Sequence, residues 1–347
     1  MDWSIAALLA QDGVVTGAIY ALLGLALILV YSVTRVPFIP MGGFVTYSAL
    51  SLNMMQNGKA PSVAALLLVL GVGCFILQLL QAKRQRTLTL QRILGWATAC
   101  LVAPLLLCVA AVYVPWTKVP GLLQMAFVLL ITVPLAPMIY RLAFQPIQDA
   151  GVLVMFMVAV SIDAVIVGMA LLLFGPDGVR NEAYSDFSMQ LGNLVVTGHS
   201  LWTIGVTILL VVLLYGFFYF SLEGKKLRAT AVNRVGAQLV GISTSRAGML
   251  AFGLAAAIGA ICGILIGPTT TLNSSSGVLI GLKGFVAAVI GGFASYPIAA
   301  IGAIAVGVLE SFSSFWASAW KDAIVFTLIV PVLLVRSLSG HHPTDDH

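Results

Sequence analysis

Charged residues are so scarce in this chain that each one raises a question of chemistry. Seventeen Lys and Arg and twelve Asp and Glu stand among 347 residues, for a net charge of +5. The densest group lies between Gly224 and Arg246. There Lys225, Lys226, Arg228, Arg234 and Arg246 alternate with small residues, and no acid follows Glu223 until Glu310. Such an island can dock a protein at a membrane surface. It can also act simply as a cytoplasmic anchor. Asp163 and Glu310 fall inside long apolar runs, where a charge costs about 3 kcal/mol or more unless it faces protein or water. Glu310 is followed by Ser311, Ser313 and Ser314. It therefore faces a pore or a substrate, or it has an internal partner such as Lys321 or a backbone amide. Asp163 can bond a neighbouring helix.

Other chemistry is missing. His199, His341, His342 and His347 have no metal-ligand company, and no metal site is expected. Cys74, Cys100, Cys108 and Cys262 lie in apolar runs without a Cys-x-x-Cys pair and read as small buried hydrophobes. The chain has no Gly-x-x-x-x-Gly-Lys-Ser/Thr loop to cradle a phosphate, and no Gly-x-Ser-x-Gly elbow with triad partners. Catalysis is not expected, and no catalytic residue is assigned.

The elements that must position these groups are membrane helices. Apolar residues make up 60% of the chain, charged residues 8%, and mean hydropathy is +1.07. A soluble domain carries about a quarter charged residues, so this is an all-α integral membrane protein. Runs of roughly 20 apolar residues suit helices. They exclude a barrel of short alternating strands. The basic residues lie in short loops, which gives no reason to expect nucleic acid as a partner. About ten to eleven segments are expected, at 13–34, 39–56, 62–81, 93–114, 121–140, 151–174, 201–220, 248–267, 283–294, 297–316 and 322–337. The first lacks the basic start of a signal peptide and reads as a retained helix. The ninth is short and runs into Gly291-Gly292-Phe293-Ala294-Ser295-Tyr296-Pro297, the kind of interrupted segment found beside transport paths.

Basic residues then set direction. Arg35, Lys83, Arg84, Arg86, Arg92, Arg141, the five of the 224–246 island and Arg336 fall on one side. Lys59, Lys118, Arg180, Lys283 and Lys321 fall on the other. The first side is the expected cytoplasmic one, giving an outside N-terminus and a cytoplasmic C-terminus, with 340–347 a polar tail. Asp322 reads as the start of an outer helix. Gly259, Gly263 and Gly267, with Ala255 before them, form a helix-packing strip where another helix can approach closely. The strip serves packing, or it slides during gating or meets a second membrane subunit. Gly277 and Gly281 repeat the spacing. The Ala- and Gly-rich region 251–307 is expected to move, and the Leu- and Val-rich region 62–114 to face lipid.

Four stretches together resemble one family. These are Gly13 to Leu22 continuing to Tyr31, Arg228 to Ile242, the block Gly281 to Gly292 with Ser295, Pro297, Glu310 and Lys321-Asp322, and more weakly Arg141 to Pro146. They resemble the permeases of branched-chain amino-acid ABC transporters of the Liv type, the H-type more than the M-type. The resemblance implies a single permease domain over 1–347, with a type II-like importer architecture of short broken helices and 221–247 as a cytoplasmic coupling loop. It implies the bacterial inner membrane, a second Liv-type permease, two cytoplasmic ATPase subunits holding ATP and magnesium, and a periplasmic substrate-binding protein. This chain itself would hold no cofactor. Coupling would fall to Arg228, Ala229, Ala231, Asn233, Gly236, Gly241 and Ile242, with Ala237 completing a smooth face. The translocation path would involve Phe38, Gly42, Gly43, Gly291, Gly292, Ser295 and Glu310. The chain departs from the family at Pro37 to Gly43, which lacks the family's polar turn, and at Val232, where an acid usually stands. Residues 58–120 hold one or two extra helices. The alternatives are a secondary transporter or channel not driven by ATP, and a membrane scaffold.

Overall fold

The computed structural model describes residues 3–84, 90–148, 150–184, 187–191 and 194–338. Arg86, Asp186 and the tail 340–347, with its three histidines, lie outside the described residues. The fold is a polytopic all-α bundle. Among the described residues, nine helical stretches are long and apolar enough to cross a membrane.

Helix α1 (Trp3–Thr34) is the buried axis. At 32 residues it is about 48 Å long, and it starts ten residues before the expected segment because Trp3 to Ala10 continue it without a breaker. Helix α2 (Met41–Gln56) follows, and then α3 (Val63–Arg84). α4 (Leu90–Ala97) and α5 (Ala103–Tyr113) form one stretch with a π-turn at Thr98–Val102. Pro104 removes a backbone donor there, and the bulged Cys100 carbonyl presses against Gly71 of α3. α6 (Gly121–Thr132) and α7 (Leu135–Ile139) are separated at Pro134 and run on to Ile147. α8 (Val152–Phe174) leads to a hairpin of β1 (Ser188–Leu191) and β2 (Leu194–Thr197), in which Ser188 pairs with Thr197. α9 (Gly198–Phe220), α10 (Leu222–Val232), α11 (Arg234–Leu239), α12 (Thr244–Ile266), α13 (Ser276–Ile290), α14 (Tyr296–Trp316), α15 (Lys321–Thr327) and α16 (Ile329–Leu338) complete the chain.

Close backbone approach builds the centre. α14 runs antiparallel to α1, so that Gly13 faces Val308 and Gly17 faces Ile304; a Cβ on Gly17 would lie 2.7 Å from the Ile304 Cα. α12, α13 and α9 close the other sides of α1, and α2 packs against α12 and α13. The 58–120 helices sit outside this core and present Leu80, Leu106 and Val112 outward.

Two helices are half-length and begin deep in the bundle. After Arg35, in a left-handed turn with φ 60°, the chain returns inward through buried Val36 and Phe38. Met41 then lies beside Gly259, which is fifteen residues, or about 22 Å, along α12 from Thr244. From there α2 runs to the hairpin end, where the Asn53 amide donates to the Arg180 carbonyl at 3.0 Å. α13 begins at the same depth, with Gly277 against Gly42, and runs the opposite way toward Phe293 and Tyr31. The expected ninth segment, 283–294, is therefore corrected to Ser276–Ile290. Its first turns are helical because Gly277 and Gly281 fit against Gly42. It stops at Ile290 because Gly292 and Phe293 turn left-handed, with φ 62° and 55°. Lys283, read as an outer-loop residue, lies instead in mid-helix and is 6% exposed.

At the hairpin end, the Tyr184 hydroxyl donates to the Ile264 carbonyl at 2.7 Å. Burial holds that phenol well above its usual pKa, so it stays a neutral donor.

Candidate functional site

The 221–247 segment is built from three capped helix starts. Ser221 Oγ accepts from the Gly224 amide (2.9 Å), Asn233 Oδ1 from the Gly236 amide (2.8 Å) and Ser243 Oγ from the Arg246 amide (3.4 Å). Each cap satisfies a donor that the first helical turn leaves free. Asn233 also ends α10 in an extended conformation, φ −147°, so α10 and α11 meet at a fixed elbow. α11 closes in a Schellman turn, with the Gly241 amide donating to the Gln238 carbonyl and the Ile242 amide to that of Ala237. Gly241 takes the left-handed position, φ 84°.

One side of this elbow is anchored. Leu227, Thr230 and Ala237 are buried, with Leu227 packed among Val33, Ala247 and Ala251. Arg35 donates to the Ala231 carbonyl at 3.2 Å, and Arg234 reaches the backbone and side-chain oxygens of Gln148, each at 3.3 Å. The segment is thereby tied to the end of α1 and to the turn after α7. The other side is bare and apolar. Val232 is 83% exposed, Val235 66%, Leu239 84% and Val240 75%. The expected contact face comprises Ala229, Ala231, Gly236 and Ala237. Of these, Ala229 is exposed, Ala231 and Gly236 are half-buried, and Ala237 faces inward. The four exposed aliphatics were missed, although their signal was present as apolar residues inside an otherwise polar loop. Arg228 is exposed and makes no ion pair among the described residues. Lys226 pairs with Glu223 at 2.6 Å, both about half exposed, a contact of small energetic weight.

The translocation candidates occupy three places. Phe38 is fully buried among Phe252, Phe44 and Phe144, with ring centroids 4.3, 6.0 and 6.1 Å away. Gly42 meets Gly277 and Gly281, and Gly43 meets Ile166 of α8. Gly291, Gly292 and Ser295 form the turn between α13 and α14, where a Cβ on Gly291 would lie 2.6 Å from Ala299. The strip Gly259, Gly263 and Gly267 is taken up within the chain, against Met41 and Phe44, against Val45 and Ser48, and against Asn181, respectively. Asp163 is 9% exposed and its Oδ1 has no hydrogen-bond partner among the described residues.

Glu310 belongs to a buried charge cluster. Its Oε1 accepts from Lys283 Nζ at 2.5 Å and its Oε2 from the Tyr20 hydroxyl at 2.7 Å. Lys283 also lies 2.8 Å from Asp322 Oδ1, as an ion pair without a directed hydrogen bond. The expected partner, Lys321, is thus replaced by Lys283. The signal lay in two acids near apolar helices that required a cation, but spacing alone could not choose it. Glu310 also lines a cavity of about 780 Å³ at the hairpin end, between α1, α9 and α14.

The family described as branched-chain amino acid transport system permease component matches residues 9–333. The chain is 32% identical over 204 residues to LivH, a high-affinity branched-chain amino acid transport system permease protein from Salmonella typhimurium. That match covers 57% of this chain and 66% of the relative, just under two thirds of its length. The Escherichia coli K12 protein of the same name is 31% identical over the same span and shares. BraD from Pseudomonas aeruginosa, also a high-affinity branched-chain amino acid permease protein, is 32% identical over 158 residues, 45% of this chain and 51% of BraD. No solved structure matches.

Proposed function

The chain belongs to the family of branched-chain amino acid transport system permease components, and from that premise we propose that it is the membrane subunit of an ATP-driven importer. The cargo is a branched-chain amino acid or a related small amide or organic acid. ATP and magnesium sit on two partner ATPases, a periplasmic binding protein delivers the cargo, and a second Liv-type permease completes the pore. The assembly lies in a bacterial inner membrane, with the 221–247 segment and the C-terminus cytoplasmic and the N-terminus periplasmic.

The observation that carries this reading is the bare aliphatic face of α10 and α11. Such a patch on a polar, capped loop suits a protein partner. Its rigidity matters equally. When the ATPases close, a push on Val235 or Leu239 reaches α1 through Arg35 and α12 through Leu227. Those two helices hold α2 and α13, so the motion arrives where the half-length helices meet.

Co-purification with the ATPase subunits tests this. The unsubstituted chain should retain them, and Val232→Glu combined with Leu239→Glu should release them and stop ATP-dependent uptake. Unimpaired uptake by that double variant rules the reading out. A second reading, an ion-driven transporter, draws on the in-span cluster of Lys283, Glu310 and Asp322. Uptake that survives ATP depletion but fails when the proton gradient is collapsed would favour it.

A further inference from the structure

α6 packs on α2 and α12, while α9 packs on α1. Between α6 and α9 the bundle is left with a lateral cleft of about 860 Å³, and α12 forms its floor. Met125 and Leu129 of α6, Val206 and Leu210 of α9, and Ile261 and Leu265 of α12 line it. Exposed Leu122 and Leu209 form its lips, so it opens sideways toward lipid. The walls run from Gly121 to Leu129 on α6 and from Trp202 to Leu210 on α9, about 12 Å along each helix. The hydrocarbon of one leaflet is about 15 Å deep, half the core of a bilayer. The interior is dry in character. Gln124 is 6% exposed and spends its amide on the Trp116 and Val119 carbonyls, at 2.8 and 3.1 Å. The hairpin end is different. There the Glu182 amide donates to Gln56 Oε1 at 3.2 Å and the Tyr184 hydroxyl to the Ile264 carbonyl at 2.7 Å. The Glu182 side chain is exposed and makes no ion pair or hydrogen bond among the described residues. Among the described residues it is the one charged group that lines the cleft.

Length, lining and charge together describe a lipid. Water needs several polar partners to stay in a cavity, and the depth of this cleft offers none. An acyl chain needs only an apolar slot about as long as one leaflet is deep. Trp202, 54% exposed, and Tyr184 stand at the rim, as aromatic side chains do at the level of the head groups. The head group must then answer Glu182. A primary ammonium brings both a positive charge and N–H donors, the combination that makes a strong hydrogen bond to a carboxylate. A choline head brings the charge without a donor. A glycerol head leaves the lipid anionic beside an acid. We propose that the α6–α9 cleft binds one phospholipid with a primary-ammonium head group, of the phosphatidylethanolamine kind, with an acyl chain against α12 and its ammonium on Glu182. The seated chain covers the side of α12 turned away from α2. The site is independent of how transport is driven.

Native mass spectrometry of the purified, delipidated full chain in detergent tests this, with palmitoyl-oleoyl phosphatidylethanolamine, phosphatidylglycerol and phosphatidylcholine titrated in turn. Phosphatidylethanolamine should fill one saturable site, and the other two should bind about tenfold more weakly. Glu182→Gln should lower phosphatidylethanolamine to the level of phosphatidylcholine. Val206→Trp, which fills the cleft, should remove the saturable site for all three lipids. Glu182 is exposed, so its substitution decides the matter even where Val206→Trp fails to fold. The proposal is overturned if no lipid saturates a site, if phosphatidylglycerol binds as tightly as phosphatidylethanolamine, or if Glu182→Gln keeps the preference. Saturable binding that survives in a folded Val206→Trp protein overturns it too. Gel filtration in which Val206→Trp turns a dimer into a monomer would assign the cleft to a second copy of the chain and would likewise overturn it.

Discussion

A side chain placed on Gly263 would collide with Ser48 and the Val45 carbonyl, whereas one placed on Gly241 would meet nothing within 4 Å. The first glycine lies in the central seam where α2, α12, α13 and α14 pack, the second in the elbow of α10 and α11. In the seam, glycine is needed for space. At the elbow it is needed for a left-handed φ of 84°. The charges divide in the same way. Lys283 is buried and held by two carboxylates, while Arg228 is exposed and makes no ion pair among the described residues. The seam is therefore fixed by what its residues touch. The elbow is fixed by its own caps, and its outer surface stays free for a partner. Membrane helices gain little by leaving lipid for one another, so close contact and polar pairing must hold the seam.

Substitutions can break this contrast, and the largest effect is expected at Lys283. Lys283→Met leaves Glu310 and Asp322 facing each other uncompensated, and should cost about 3–5 kcal/mol of stability, read as a fall in the unfolding temperature in detergent. Glu310→Gln should cost less, because Asp322 still holds Lys283 and Tyr20 keeps an acceptor. Gly263→Leu should follow at about 1–3 kcal/mol, the range for overpacking, with loss of monodispersity on gel filtration. Gly241→Ala should cost about 1 kcal/mol through backbone strain alone, and a thermal shift as large as that of Gly263→Leu would erase the distinction. Gly292→Leu, also at positive φ, should resemble Gly241→Ala in thermal unfolding. The smallest thermal effect belongs to Val232→Glu with Leu239→Glu, within about 0.5 kcal/mol as surface changes usually are. That double variant should nevertheless abolish ATPase retention. Loss of retention with intact unfolding would sharpen the contrast most.

Much of the seam was visible in the sequence because close packing leaves a periodic trace. Gly259, Gly263 and Gly267 recur every four residues and must share a helix face. The hydrocarbon-like runs likewise mark the spans, since a bilayer demands length and apolarity together. What spacing cannot give is the partner. That the strip meets α2 depends on the return of the chain through Val36 and Phe38, and no local signal encodes that return. Lys283 was misplaced because a lysine at the edge of an apolar run ordinarily marks the membrane boundary. Its true depth follows only once Glu310 and Asp322 are seen beside it. The elbow was legible as a basic, polar break between two apolar runs, but its exposed aliphatic face was not. Small residues there pointed to smoothness, while the exposed Val235, Leu239 and Val240 depend on how two short helices turn about Asn233.

The meeting of Gly42 with Gly277 has an electrical consequence. The first turns of α2 and α13 come together deep in the bundle, and the two helices run away from each other. Each amino-terminal end carries about half a positive charge from its aligned peptide dipoles. Two such ends at one depth would disfavour protons and sodium there, as opposed half-helices do in water pores. In the importer proposed above, that positive field would let the path open for its cargo without short-circuiting the gradient that energises the rest of the membrane.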